Sequence, residues 1–134
     1  MTDEAPRIAA LLAAVGFLVI AAFQVALALA APLGSASWGG RHAGKLPAGL
    51  RIASAVAAVV WFLAALVVLA RGGFDIGPIP DGVARWGTWA LVGLLPLGAL
   101  MNLASSSRWE RFLWGPIALI LAALCFVIAR SPAS

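Results

Sequence analysis

Four long apolar runs follow one another along the chain, and the charged residues lie between these runs or at their ends. None of the runs alternates apolar and polar residues in the way that a half-buried strand does. At about 1.5 Å per residue, a helix of this length crosses the roughly 30 Å hydrocarbon core of a bilayer. The pattern predicts membrane-spanning helices at about residues 8–31, 52–70, 85–104 and 109–129.

Consecutive spans with short connections place neighbouring helices in opposite directions. We therefore predict an all-α, integral membrane, antiparallel four-helix bundle that forms a single domain over residues 1–134. Small residues four positions apart allow helix backbones to approach closely in lipid. Ala22 and Ala26 have this spacing in the first run, and Ser54 and Ala58 have it in the second. The spacing predicts tight packing between the first two helices.

Hydroxyl side chains at residues 105–107 mark the start of the fourth helix, because serine is a favourable N-cap residue. We expect this helix to begin near Ser107 or Arg108. Glu110 then lies in its first turn, at the positive end of the helix macrodipole. Pro116 also falls within the first turns, where proline is better tolerated than in the helix interior.

Composition agrees with a membrane environment, since 63% of the 134 residues are hydrophobic and only 10% are charged. A soluble domain is about half apolar and a quarter charged, and a small domain has too little interior to bury such an excess. The net charge is +4, but the nine Lys and Arg residues form no basic cluster. Nucleic acid is therefore not an expected partner, and the lipid bilayer is.

The first run has an alternative interpretation as a cleaved signal peptide. The apolar region of a signal peptide is only about 7–15 residues long and follows a basic leader. This run is longer, and Asp3 and Glu4 precede it. We therefore expect it to remain as a span.

The distribution of cations bears on orientation through the positive-inside rule. The first and third loops carry five of the nine Lys and Arg residues, and the side of the termini carries four. The first and third loops thus have an excess of one cation, and we expect them to face the cytoplasm.

Two amides lie within the apolar runs, Gln24 in the first and Asn102 near the end of the third. Amide groups need hydrogen-bond partners in a dry environment. Both helices run toward the same side, so the two amides are expected at one end of the bundle. They form either hydrogen bonds between helices or a polar cavity that opens toward the first and third loops.

These two loops have similar composition, since "SASWGGR" and "SSSRWER" each contain serines, a tryptophan and an arginine. Tryptophan and arginine suit the membrane interface without any catalytic role. If the chain has a functional site, we expect it at this end of the bundle. The candidate cluster is Gln24, Trp38, Arg41, His42, Arg51, Asn102, Arg108, Trp109, Glu110 and Arg111.

The chain contains no recognisable nucleotide-binding, hydrolase or metalloprotease motif. It has one histidine and one cysteine, Cys125, which lies inside an apolar run and is expected to be buried. We therefore predict no catalytic residues, no metal and no cofactor. Glu110 is the acid on the side of His42, and we expect it to pair with one of the nearby arginines. The alternative is an acid/base pair of Glu110 with His42.

"WGGRHAGKLPAGLR" after the first span and "NLASSSRWERFLWGP" between the third and fourth resemble a group of small bacterial four-span membrane proteins of unknown function. The resemblance covers both hairpins. It implies a four-span topology and a multi-pass location in a bacterial inner membrane. It implies no activity.

Three classes of function remain open. The first is a non-enzymatic membrane protein that acts as an accessory subunit of another membrane protein or as a homo-oligomer. The second is a transporter or channel component with a polar pathway near Gln24 and Asn102. The third is an enzyme acting on lipid headgroups, with His42 and Glu110 as its acid/base pair and arginines that bind phosphate. The absence of a catalytic motif favours the first class.

Overall fold

Residues 4–131 are described by the computed structural model. Within this range the chain is helical and contains no strand, which confirms the all-α prediction. The four long helices are α1 Glu4–Ala28, α2 Ala48–Arg71, α3 Asp81–Leu103 and α4 Gly115–Ala129, and a π-helical segment, Glu110–Trp114, leads directly into α4. Each of α1, α2, α3 and the combined segment Glu110–Ala129 is long and apolar enough to cross a membrane.

The helices extend past the apolar runs wherever no residue stops them. Helix α2 begins directly after Pro47 and α3 directly after Pro80, each several residues before the apolar run itself. Helix α1 ends at Ala28, before the end of its run, and Ala30 then adopts a positive φ of 70°. Hydropathy therefore marks the part of a helix that needs an apolar surrounding, whereas prolines and turns decide where its hydrogen bonding begins and ends.

The start of the fourth helix lies where the serines predicted it. Helical structure begins at Arg108, and the Ser107 Oγ accepts a hydrogen bond from the backbone N–H of Glu110 at 3.3 Å. Because this bond satisfies one of the free N–H groups of the first turn, Ser107 is the N-cap.

The π-helical segment was not predicted, and Pro116 accounts for it. This proline lies eight residues after the helix begins, so it is an interior residue rather than a first-turn residue. Its ring has no N–H to donate to the carbonyl of Phe112, and in a regular helix it would collide with that carbonyl. The wider turn avoids the collision, and the N–H of Gly115 bonds to the carbonyl of Glu110, five residues earlier.

The helices pack in a ring in which α1 lies against α2 and α4, and α3 lies against α4 and α2. The predicted close packing of α1 with α2 is confirmed, since these two helices share the most extensive contact. Ser54 and Ala58 are buried, as their spacing predicted, whereas Ala22 is exposed. At the core the Phe17 and Trp61 rings stack with centroids 5.6 Å apart, and Cys125 is fully buried as predicted.

Arginine side chains from a neighbouring segment bind the C-terminal end of each helix, and we call these contacts the arginine caps. Two of them join α1 and α2. The Arg51 Nε of α2 donates to the carbonyl of Ala28, the last residue of α1, at 3.1 Å. Arg7 of α1 donates to the carbonyl of Gly73, just past the end of α2, at 3.3 Å. Each cation thus faces carbonyls that lack a helical partner and carry the negative end of the macrodipole.

The other two arginine caps hold the ends of α3 and α4. Arg111 donates through two nitrogens to the carbonyl of Ser105, just past α3, at 3.2 and 2.9 Å. The Arg71 Nη2 at the end of α2 donates to the carbonyls of Ala129 and Ser131 at 3.2 and 2.6 Å. Arg71 is therefore the cap that ties α2 to the end of α4.

Replacement of Arg71 by alanine is expected to lower the free energy of unfolding by about 1 kcal/mol. Two hydrogen bonds from a cation to helix-end carbonyls are lost, and removal of the buried Nε, which has no partner among residues 4–131, offsets part of that loss. The measurement is thermal unfolding in detergent micelles. Arg85→Ala is the matched control, since the Arg85 side chain is exposed and lies over the ring of its neighbour Trp86. Equal stability of the two variants would contradict the capping role.

Candidate functional site

The first and third loops meet at one end of the bundle, and we call this contact, between residues 34–40 and 105–110, the loop junction. The Ser107 Oγ donates to the carbonyl of Ser35 at 2.6 Å. Gly40 lies against the same serine so closely that a Cβ at position 40 would be 2.8 Å from the Ser107 Cβ. Ser107 therefore both caps the fourth helix and positions the first loop.

Glu110 is the buried acid of the loop junction, with a relative exposure of 9%. Its Oε1 accepts a hydrogen bond from the Ser105 hydroxyl at 2.5 Å, and its Oε2 accepts one from the backbone N–H of Gly39 at 3.3 Å. The Ser105 Oγ in turn accepts the N–H of Ser107 at 3.0 Å. The partners of the carboxylate are thus a hydroxyl and a backbone amide, in place of the arginine that we predicted. A carboxylate held in this way connects two loops that are about seventy residues apart in sequence.

The first loop has an unusual backbone where it approaches Glu110. Trp38, Gly39 and Gly40 all have positive φ, at 47°, 81° and 74°. Glycine adopts this conformation easily, but a bulky residue such as Trp38 does so at a cost of about 1–3 kcal/mol. The Trp38 Nε1 donates to the hydroxyl of Ser54 at 2.9 Å, and Ser54 is fully buried in α2. This bond offsets part of the strain and fixes the loop against α2.

Four other residues of the predicted cluster are exposed at this end of the bundle. Arg41 and His42 are exposed in the first loop, and Arg108 and Trp109 are exposed at the start of the fourth helix. No hydrogen bond joins His42 to Glu110 within the part of the chain that the structure describes. The geometry therefore does not assemble the acid/base pair that sequence left as an alternative.

Two arginines of the predicted cluster are already engaged in structural contacts. Arg51 binds the end of α1, and Arg111 binds the end of α3. Both are arginine caps, and both lie at the same end of the bundle as the loop junction. Of the predicted cluster, the structure thus brings Trp38, Arg51, Glu110 and Arg111 into the architecture of this end and leaves the others at its surface or within the helices.

Two buried polar atoms on α1 and the π-helical segment lack a hydrogen-bond partner within the described part of the chain. The Gln24 Oε1 and the Trp114 Nε1 are both buried, and neither has a hydrogen-bond partner among residues 4–131. Trp114 packs on Phe23, the neighbour of Gln24, with ring centroids 4.8 Å apart. Asn102 is half-buried on α3, which makes no extensive contact with α1. Trp114 could not be identified from the sequence, because a tryptophan inside an apolar run gives no sign of which way its N–H points.

The described residues also bear on metal chemistry. Across residues 4–131 no group of three or more His, Cys, Asp or Glu side chains is placed to hold a metal ion. The single cysteine is buried in the core, away from the loops that carry His42 and Glu110.

Comparison with known proteins adds no relative to this description. No protein-family model matches the chain, and neither curated proteins nor solved structures match it. The class is therefore defined by the fold of residues 4–131, which is all-helical and contains four segments suited to crossing a membrane: α1, α2, α3 and the combined segment Glu110–Ala129.

Proposed function

We propose that the chain is a non-enzymatic, multi-pass integral membrane protein with four antiparallel spans, acting as an accessory subunit of another membrane protein or as a homo-oligomer. The observation that carries the proposal is the use of the polar groups at the loop junction. Glu110 accepts hydrogen bonds from the Ser105 hydroxyl and the Gly39 N–H, and Trp38 donates one to Ser54. These contacts join the two loops to each other and to α2, which is the role expected of structural rather than catalytic groups.

The outer surface supports the membrane part of the proposal. Large apolar side chains on all four helical segments are more than half exposed, and they include Leu12, Val59, Trp86, Leu97, Phe112 and Ile120. In water such a surface would drive aggregation, whereas in a bilayer it contacts lipid chains. The antiparallel arrangement is supported by the arginine caps, because Arg51 at the start of α2 reaches the end of α1 and Arg7 near the start of α1 reaches the residues after α2.

Topology is tested with single cysteines, and the native chain is its own control because buried Cys125 should not react. We place reporters in the first and second loops as His42→Cys and Asp75→Cys, two exposed positions. In a bacterial inner membrane, an impermeant maleimide applied from outside should label Asp75→Cys, and His42→Cys only after permeabilisation. The protein should also resist carbonate extraction. Extraction, or labelling of both reporters from the same side, would refute the four-span proposal.

The accessory or oligomeric role is tested by isolating the chain from native membranes in mild detergent and weighing the complex by native mass spectrometry. We expect either a co-purifying membrane protein or a multiple of the chain mass. A monomer with no partner would contradict the proposal. Turnover of a phospholipid that His42→Ala abolishes would favour the lipid-headgroup enzyme instead.

A transporter or channel component is the second candidate, and the unpartnered Gln24 Oε1 favours it. In a structural protein, burial of this carbonyl without a hydrogen bond lowers stability. Gln24→Leu is therefore expected to raise the free energy of unfolding by about 1 kcal/mol. Thermal unfolding in detergent measures this, with Val25→Leu at the exposed neighbouring position as control. A transporter gives a different result: liposomes containing the wild type move a solute, and Gln24→Leu and Asn102→Leu abolish the flux.

A further inference from the structure

An open groove of about 330 Å³ lies where the end of α1 meets the start of α2. Four of its lining residues are apolar, and three of those are alanines: Ala28, Ala48, Ile52 and Ala55. The fifth lining residue is Arg51, the only charged group in the groove. A groove with small apolar walls and one cation can accept a ligand that is both apolar and anionic.

Arg51 keeps most of its hydrogen-bonding capacity for such a ligand. A guanidinium carries five N–H donors in a planar fork. Within residues 4–131 the side chain of Arg51 makes one hydrogen bond, from Nε to the carbonyl of Ala28 at 3.1 Å. This bond orients the guanidinium beside the groove and leaves the two Nη groups available to a ligand. Their forked geometry matches the oxygens of a phosphate.

We propose that this groove binds one anionic phospholipid, with its phosphate on the Arg51 Nη groups and an acyl chain along Ala28, Ile52 and Ala55. The inference rests on the proposed membrane location, because it needs a ligand that enters from the bilayer. Arg51 lies in the first turn of α2, which would put its guanidinium at headgroup depth. Arg41 and Lys45 are exposed in the preceding loop and add positive charge near that end.

Charge complementarity selects this occupant over two others. A zwitterionic lipid fits the apolar walls equally well, but its own cation weakens the attraction of its headgroup to Arg51. A second copy of the chain would have to present an acidic group, and four of the five acids lie on the opposite side in the predicted topology, while Glu110 is buried.

The test uses the purified full-length chain in detergent, with binding followed by native mass spectrometry and by the shift in Tm. Phosphatidylglycerol and phosphatidylcholine with identical acyl chains are compared, and glycerol phosphate serves as the soluble phosphate. We expect one phosphatidylglycerol to be retained and to raise Tm. Phosphatidylcholine should bind at least about tenfold more weakly, equivalent to about 1.4 kcal/mol, and glycerol phosphate should produce no shift.

Two variants address the two halves of the site separately. Arg51→Lys keeps the charge and removes the fork, and it should weaken phosphatidylglycerol binding by about tenfold. Ala55→Trp fills the groove at an exposed position and keeps the Arg51 side chain, and it should abolish the retained lipid while leaving the fold intact. Arg85→Ala, an exposed arginine on α3, is the control and should bind lipid like the wild type.

Equal retention of the two lipids, or unchanged phosphatidylglycerol binding by Ala55→Trp, would overturn the proposal. A lipid-independent dimer that Ala55→Trp dissociates would also overturn it, in favour of a second copy as the occupant. If Arg51→Lys fails to fold, Ala55→Trp still decides the outcome. Failure of the membrane location itself would be seen separately, as extraction of the protein by carbonate.

Discussion

Glu110→Ala is expected to lower the free energy of unfolding by about 3 kcal/mol. The change removes two hydrogen bonds to a buried carboxylate, each worth roughly 1.5–3 kcal/mol when the acceptor is charged, and water recovers part of the loss at the groups left behind. Those groups are the Ser105 hydroxyl and the Gly39 N–H. Thermal unfolding in detergent measures the loss. Faster tryptic cleavage at exposed Arg41 and Lys45 would report release of the first loop.

Two further variants separate this effect from a general loss of charge. Glu110→Gln keeps an oxygen for the Ser105 hydroxyl but turns an amide NH₂ toward the Gly39 N–H, so we expect about half of the alanine effect. Asp75→Ala removes an exposed acid from the second loop and should leave stability unchanged. If Glu110→Ala were no more destabilising than Asp75→Ala, the loop junction would have no energetic role.

Gly34→Ala is expected to destabilise the chain by about 3 kcal/mol and to reduce the yield of folded protein. The added methyl group collides with backbone atoms, which cannot move aside as a side chain does by changing rotamer. A Cβ at this position would overlap the carbonyl oxygen of His42 and lie 2.5 Å from that of Gly44. The first loop also closes here, since the N–H of Gly34 donates to the Gly44 carbonyl at 2.9 Å. Thermal unfolding in detergent measures the effect.

Gly44→Ala is the matched control from the same loop. Apart from residues 43–45, no described residue has an atom within 4 Å of a Cβ at position 44, and φ is not positive there. This variant should therefore unfold within about 0.5 kcal/mol of the wild type. Equal behaviour of Gly34→Ala and Gly44→Ala would mean that the loop can open at this point at little cost.

The helical architecture could be predicted from sequence because it depends on properties local to each segment. Length and uninterrupted apolarity define each of the four helices, and the Ser107 hydroxyl identifies the start of the last one. Hydropathy alone does not give the starts of α2 and α3, because these helices begin at the prolines that precede them.

The contacts of the loop end could not be predicted, because they join residues far apart in the chain. A carboxylate near several arginines suggests an ion pair. Instead, the Glu110 carboxylate accepts hydrogen bonds from the Ser105 hydroxyl and from the Gly39 N–H of the first loop. The backbone of Trp38 is another example, since its positive φ occurs together with a side-chain hydrogen bond to Ser54 on a different element. Local preference is overridden in both cases by a tertiary contact.

The arginine caps have a consequence for the order in which the chain assembles during synthesis. The contacts of Arg51 with Ala28 and of Arg7 with Gly73 become available once the first hairpin has left the ribosome. The contact of Arg71 with Ala129 and Ser131 requires residues from the far end of the fourth helix. We therefore expect the first hairpin to form early, with Arg71 still lacking its carbonyl partners, and the ring to close when the fourth helix is released.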